Sequence, residues 1–127
     1  MDMKLELVPI PVSDVARSIA FYRDVIGFHL DHDVSPREGM RIVQLTPPGS
    51  ACSIAFGTGF GLPTPDESVI TGLHLVVDDV AAARDELVAR GATVSGIDDM
   101  GGVLYAHFRD PDGNSWSLQE IRVGARP

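Results

Sequence analysis

The chain predicts an α+β fold built from two βαβββ modules, and three observations predict it. Short apolar runs of strand length recur, with side chains alternating between two faces. Two segments instead carry apolar residues at helical spacing. The pattern then starts over: Val12-Ser13-Asp14-Val15-Ala16 is echoed by Val77-Asp78-Asp79-Val80-Ala81, each a strand end, a cap and a helix start at the same point of its half.

Leu5 to Val12 reads as a strand. Pro9 and Pro11 remove two ladder donors, so part of it should have one unpaired side. Ser13 or Asp14 caps a helix to about Ile26, with Val15, Ile19, Tyr22 and Ile26 on one side, and Gly27 stops it. Phe28 to about Asp33 is the next strand, and Val34 to Gly39 is expected as a loop. Arg41–Thr46 and Cys52–Gly57 are strands joined by the turn Pro47-Pro48-Gly49-Ser50. Residues 58–69, rich in glycine and proline, connect the halves. Gly72–Val77 is a strand. Asp79 caps a helix to about Arg90, with Val80, Ala83 and Leu87 as its stripe and Gly91 as its stop. Strands are expected near Thr93–Ile97, Val103–Phe108 and Ser115–Ile121. Asp110-Pro111-Asp112-Gly113-Asn114 forms a tight turn before the last. Met100-Gly101-Gly102 is either a mobile lip or a plain turn. Module one thus spans about 5–57 and module two 70–121, within one domain of 127 residues.

Composition narrows the function classes. Hydrophobic content of 44% and charged content of 22% are globular values. The apolar runs are too short to span a membrane. The start of the chain lacks the basic region and long apolar stretch of a signal peptide, and the single cysteine, Cys52, excludes an internal disulfide. A cytoplasmic protein with no membrane partner is the expectation. The net charge of −8 argues against nucleic acid as a partner, since no basic excess is available to meet phosphates. It is compatible with a cationic ligand and, more simply, with solubility.

The repeat, the segment Phe21-Tyr22-Arg23-Asp24-Val25-Ile26-Gly27-Phe28 and the turn Arg109-Asp110-Pro111-Asp112-Gly113-Asn114 together resemble the vicinal-oxygen-chelate superfamily, which includes glyoxalase I, extradiol dioxygenases and bleomycin-resistance proteins. The resemblance runs from about Leu5 to Ile121. It implies a glyoxalase-like arrangement in which each module curls its strands into half of a cup with the helices outside, and it implies a homodimer. The metalloenzymes of the family place ligands on the first and last strands of each module. The matching positions here are Leu7, Ser53, Gly72 and Ser117. None supplies the imidazole, carboxylate or thiolate that a divalent transition metal requires, so no metal and no other cofactor is expected. The family's isomerases, dioxygenases, epimerases, transferases and drug binders share this fold, so fold alone does not choose among them.

Alternation sorts the strands into two faces. Val8, Ile10, Val12, Cys52, Ile54, Phe56, Leu73, Leu75, Val77, Trp116 and Leu118 form an apolar side to pack on the helices, with Trp116 as core and Cys52 as an inert thiol. The other side carries Leu7, Pro9, Ser53, Ala55, Gly72, His74, Ser115, Ser117 and Gln119, joined by Tyr105 and His107. Small side chains there leave volume and a few polar groups orient a ligand. The expected ligand-binding residues are therefore Leu7, Ser53, His74, Tyr105, His107, Ser117 and Gln119. Tyr105 would stack on the ligand or donate to it. His74 and His107 are either an acid–base pair or ordinary hydrogen-bonded strand histidines. Asp98 and Asp99 are the carboxylates that an unorthodox metal site with these histidines would use. His29 and His32 are expected in solvent. Asp110 and Asp112 bond the backbone, and Asp14, Asp78 and Asp79 cap helices. The first function expected is metal-independent binding of a small organic molecule. The second is an isomerase, lyase or dioxygenase-like enzyme that uses His74 and His107 or an unorthodox metal site.

Overall fold

The computed structural model describes residues 1–122. Two compact units divide the chain, Met1–Val69 and a second beginning at Ile70. Unit one comprises strand β1 (Leu7–Pro9), helix α1 (Val15–Ile19) continuing as a π-helical segment (Ala20–Ile26), and strands β2 (His29–Arg37), β3 (Met40–Thr46) and β4 (Ser53–Thr58). Unit two comprises β5 (Leu73–Val76), α2 (Val80–Ala89), β6 (Asp98–Asp99), β7 (Val103–Arg109) and β8 (Ser115–Ile121). The sheet orders correspond: β1-β4-β3-β2 in the first and β5-β8-β7-β6 in the second. In each, the first strand runs parallel to the last while the other neighbours are antiparallel. This is the α+β, two-module βαβββ architecture of the glyoxalase fold.

The helices start where their caps dictate. Asp14 accepts the Arg17 amide at 3.1 Å, and Asp79 accepts that of Ala82 at 3.0 Å. Each carboxylate answers an amide that the first turn leaves without a helical partner. The first helix then widens into π geometry, where the sequence suggested a uniform α-helix. It ends with the Tyr22 carbonyl accepting both Gly27 and Phe28 amides, and Gly27 takes φ +92°. That ending sets the Tyr22 ring, fully buried, against Phe28 at 5.6 Å and Phe56 at 6.0 Å. Ile10, Val43 and Leu45 complete this core. In unit two, Val80 and Leu87 of α2 are buried, as are Leu104, Ala106, Phe108, Trp116 and Leu118 on the sheet. Trp116 and Phe108 stack with centroids 6.1 Å apart, so Trp116 is core as alternation indicated.

Several local expectations are corrected. β1 is shorter than Leu5–Val12, and Leu5 is exposed. It lies at the sheet edge, where missing proline donors cost no ladder bond. Residues 34–37 extend β2 instead of forming a loop. Register shifts between Leu30 and His32 and between Val34 and Arg37 keep the long strand paired, and Pro36 falls inside the second. Thr93–Ile97 is no regular strand. The Ser95 amide does donate to the His107 carbonyl at 2.9 Å, as a ladder would have it. The reciprocal ladder bond is absent, and Arg84 Nε donates to the Ser95 carbonyl at 2.6 Å and its Nη2 to that of Val94. The His107 amide donates to Ser95 Oγ instead. Cys52 is half-buried and not fully enclosed. Met100–Gly102 forms a plain hairpin turn, closed by Met100 N–H to the Val103 carbonyl and Gly102 N–H to Asp99 Oδ1.

Candidate functional site

The seven residues expected to bind ligand divide between the two sheets, Leu7 and Ser53 in unit one and the other five in unit two. The sheet registers explain the grouping in unit two. His74, Ser117 and His107 lie side by side across β5, β8 and β7, and Val76, Gln119 and Tyr105 form the next row on the same face. The opposite face is the apolar core.

These five side chains hold one another. His74 Nδ1 lies 2.8 Å from Gln119 Oε1. This contact engages Nδ1 and leaves Nε2 of His74 outside it. His107 Nδ1 lies 2.8 Å from Ser117 Oγ. The Tyr105 ring stands edge-on to His74, with centroids 5.8 Å apart, and nearly parallel to His107 at 6.3 Å. Asp98 Oδ2 is 3.9 Å from His107 Nε2, the sole acidic approach to either histidine among the described residues. Val76, 65% exposed, adds an apolar surface to the same face. Alternation along β5 held the signal for Val76, which is two residues from His74. An open groove of about 620 Å³ begins at the His107–Ser117 end and continues past Ser95, Arg109 and Ser115. His74, Tyr105 and Gln119 stand outside its lining.

In unit one, Leu7 pairs in register with Ser53, and Ala55 with Pro9 on one side and Gln44 on the other. Ser53 is buried and bonded: its Oγ is 2.6 Å from Thr46 Oγ1 and 3.3 Å from Gln44 Nε2. Thr46 Oγ1 in turn donates to Asp31 Oδ2. Asp31 is the extra residue at the first register shift of β2, a bulge, and its carboxylate faces Thr46. Gln44, Thr46 and Asp31 belong to this polar face although the sequence did not single them out. For Gln44 and Thr46 the signal was present, because they alternate with buried Val43 and Leu45. Asp31 also follows alternation, two residues from His29, which pairs with Thr46; the bulge then brings His32 opposite Gln44. His29 and His32 are exposed as expected, although His29 Nε2 comes within 3.7 Å of Asp31 Oδ1.

The family's metal-ligand positions do not fit a metal here. Leu7 offers an aliphatic chain, Gly72 no side chain, and the hydroxyls of Ser53 and Ser117 are engaged by Thr46, Gln44 and His107. Among the described residues, no three His, Cys, Asp or Glu side chains converge as a metal site would require.

The repeated sheet order defines the class. The chain belongs to the Glyoxalase/Bleomycin resistance protein/Dioxygenase superfamily, whose family model matches residues 4–118. It is similar to TnmS3, an antibiotic-binding protein from Streptomyces sp. CB03234, with 32% identity and a TM-score of 0.82 over 95% of this chain and 98% of that one. It is similar to UcmS2 at 26% identity and a TM-score of 0.82, over 94% and 99% of the two chains. An ethylmalonyl-CoA/methylmalonyl-CoA epimerase from Cereibacter sphaeroides is 28% identical over 131 residues, covering 93% of this chain and 98% of the relative. No helix among the described residues is long and apolar enough to cross a membrane.

Proposed function

We propose that this protein binds a small organic molecule without a metal and without transforming it. The observation that carries this reading is the exchange of ligand-type residues for Leu7, Gly72 and two hydrogen-bonded serines. It is accompanied by a face of rings and amides, His74, Tyr105, His107, Ser117 and Gln119, suited to contact an organic ligand. The antibiotic-binding relative supports it. Tyr105 and the two imidazoles supply flat contact surface, and Gln119 and Ser117 orient polar groups. The working unit in this reading is a homodimer in the cytoplasm, a single-domain chain that engages neither nucleic acid nor membrane. Light scattering on the purified protein tests the dimer. Incubation with a panel of natural products, followed by native mass spectrometry and recovery of the compound, tests the rest. A one-to-one adduct per chain whose ligand is recovered unchanged is the expected result. A released product, or no adduct with any compound, would sink the reading.

The epimerase relative favours a second reading, proton transfer at a carbon beside a carbonyl. Inversion there requires one group to take a proton and another to return one from the opposite side. His74 and His107 would fill those roles. Deuterium wash-in from D2O into methylmalonyl-CoA, abolished in His74→Ala, would establish this reading over the first.

A further inference from the structure

We propose that the polar face of unit one is a subsite for a nitrogen cation bearing N–H groups, a protonated amine or a guanidinium, gripped by Asp31 and Gln44. The proposal rests on the reading that the protein binds an organic ligand, and it specifies one functional group of that ligand.

The protons along one chain of hydrogen bonds can be counted. A carboxylate can only accept, so the Thr46 hydroxyl gives its one proton to Asp31 Oδ2. Thr46 Oγ1 must then accept across its 2.6 Å contact, and Ser53 is the donor. With its proton committed, Ser53 Oγ must accept from the side chain of Gln44. The atom 3.3 Å away is therefore the amide nitrogen, which fixes the orientation of the Gln44 amide from the network alone. The chain runs Gln44 to Ser53 to Thr46 to Asp31 with every hydroxyl proton assigned. Its two ends are Gln44 Oε1 and Asp31 Oδ1, and both are acceptors.

A site that offers two acceptor oxygens, one charged, selects a donor-rich cation and repels carboxylates and phosphates. Among the described residues, the sole ionisable group in ion-pair range of Asp31 is the exposed His29 at 3.7 Å, and no lysine or arginine among them pairs with it. The Asp31 side chain is 21% exposed, open enough to be reached and buried enough to strengthen a charge-assisted bond. Leu7 and Ala55, next to Ser53 and Gln44 in the register, supply apolar contact for the stem that carries the nitrogen. The net charge of −8 draws such a ligand in.

The test is a two-dimensional amide NMR titration of the whole protein with four probes of one shape. These are benzylamine at neutral pH, benzyltrimethylammonium, benzyl alcohol and phenylacetate. Benzylamine should shift the amides around Asp31, Gln44 and Ser53 saturably. Benzyltrimethylammonium, which has the charge but no N–H, and the other two should bind there at least about tenfold more weakly. Asp31→Asn should weaken benzylamine by about tenfold or more, and Gln44→Met by several-fold, with each variant's spectrum showing a native fold. Equal shifts by phenylacetate or benzyl alcohol, undiminished binding to Asp31→Asn, or no shift at these residues would overturn the subsite. If the last result came with a natural product bound elsewhere on the protein, the ligand-binding reading would stand without the subsite. Failure of every organic compound would remove both.

Discussion

Asn114 shows how much one side chain can hold. It is fully buried, its Oδ1 accepts the Ile70 amide at 2.8 Å, and its Nδ2 donates to Asp110 Oδ2 at 2.8 Å. Asp110 Oδ1 meanwhile accepts the amides of Asp112 and Asn114. Asn114→Ala should cost about 2–4 kcal/mol, because it strands a buried amide and part of a buried carboxylate. Chemical denaturation would read this as a lower midpoint at unchanged slope. Asp33 and Arg41 provide a weaker, exposed case. The bidentate hydrogen bond from Arg41 holds the Asp33 carboxyl below its usual range. A depressed folded value means that the pair stabilises above the ordinary carboxylate range and is lost as pH falls through the folded value. Asp33→Asn should therefore lower the melting temperature slightly at neutral pH, with the gap closing in acid. At the ligand face, Tyr105→Ala should weaken organic-ligand binding by about tenfold while leaving the melting temperature of the free protein nearly unchanged, since the rings it meets are those of the exposed His74 and His107. Residue roles set by alternation were legible from the sequence: His74, His107, Ser117 and Gln119 share a face because the strand period is two. The pairing of His32 with Gln44 was not legible, because a bulge breaks that period and depends on the partner strand.

At the scale of elements, caps and turns carried most of the message. Asp14, Asp79 and the Asp110–Asn114 turn bond locally, so a few neighbouring residues determine them. The sheet is less forgiving at Gly57. A Cβ there would lie 1.9 Å from the Arg41 carbonyl oxygen on the paired strand. That oxygen belongs to the backbone and cannot step aside without breaking the β3–β4 pairing. Gly57→Ala should cost several kcal/mol, on the order of other severe backbone clashes, and lower soluble yield. The segment Thr93–Ile97 was misread as a strand because its composition is strand-like. Its fate depends on Arg84, eleven residues before Ser95, which takes the carbonyl that a ladder needs. Arg84→Met should release that carbonyl and let residues 94–96 pair regularly with β7. Hydrogen exchange at the His107 amide would then slow, whereas Ser95→Ala in the otherwise unchanged protein should speed it by removing its acceptor.

For the whole molecule, the two-unit architecture was readable because it repeats, and each unit solves the same packing problem with the same strand order. The positions that the family resemblance assigns to metal donors hold Leu7, Ser53, Gly72 and Ser117, a difference visible in the sequence itself. What replaces those donors depends on hydrogen bonds between residues as distant in sequence as His74 and Gln119, which spacing does not encode. The proposed function is binding of an organic molecule without a metal. The most direct test is a thermal-shift plate of the purified protein against divalent zinc, nickel, manganese and iron beside a natural-product panel, since whatever binds the native state raises its melting temperature. Under the proposed function the melting temperature rises with at least one organic compound, less so in Tyr105→Ala, and with none of the metals. A clear rise with a single metal, lost in His74→Ala, would contradict it.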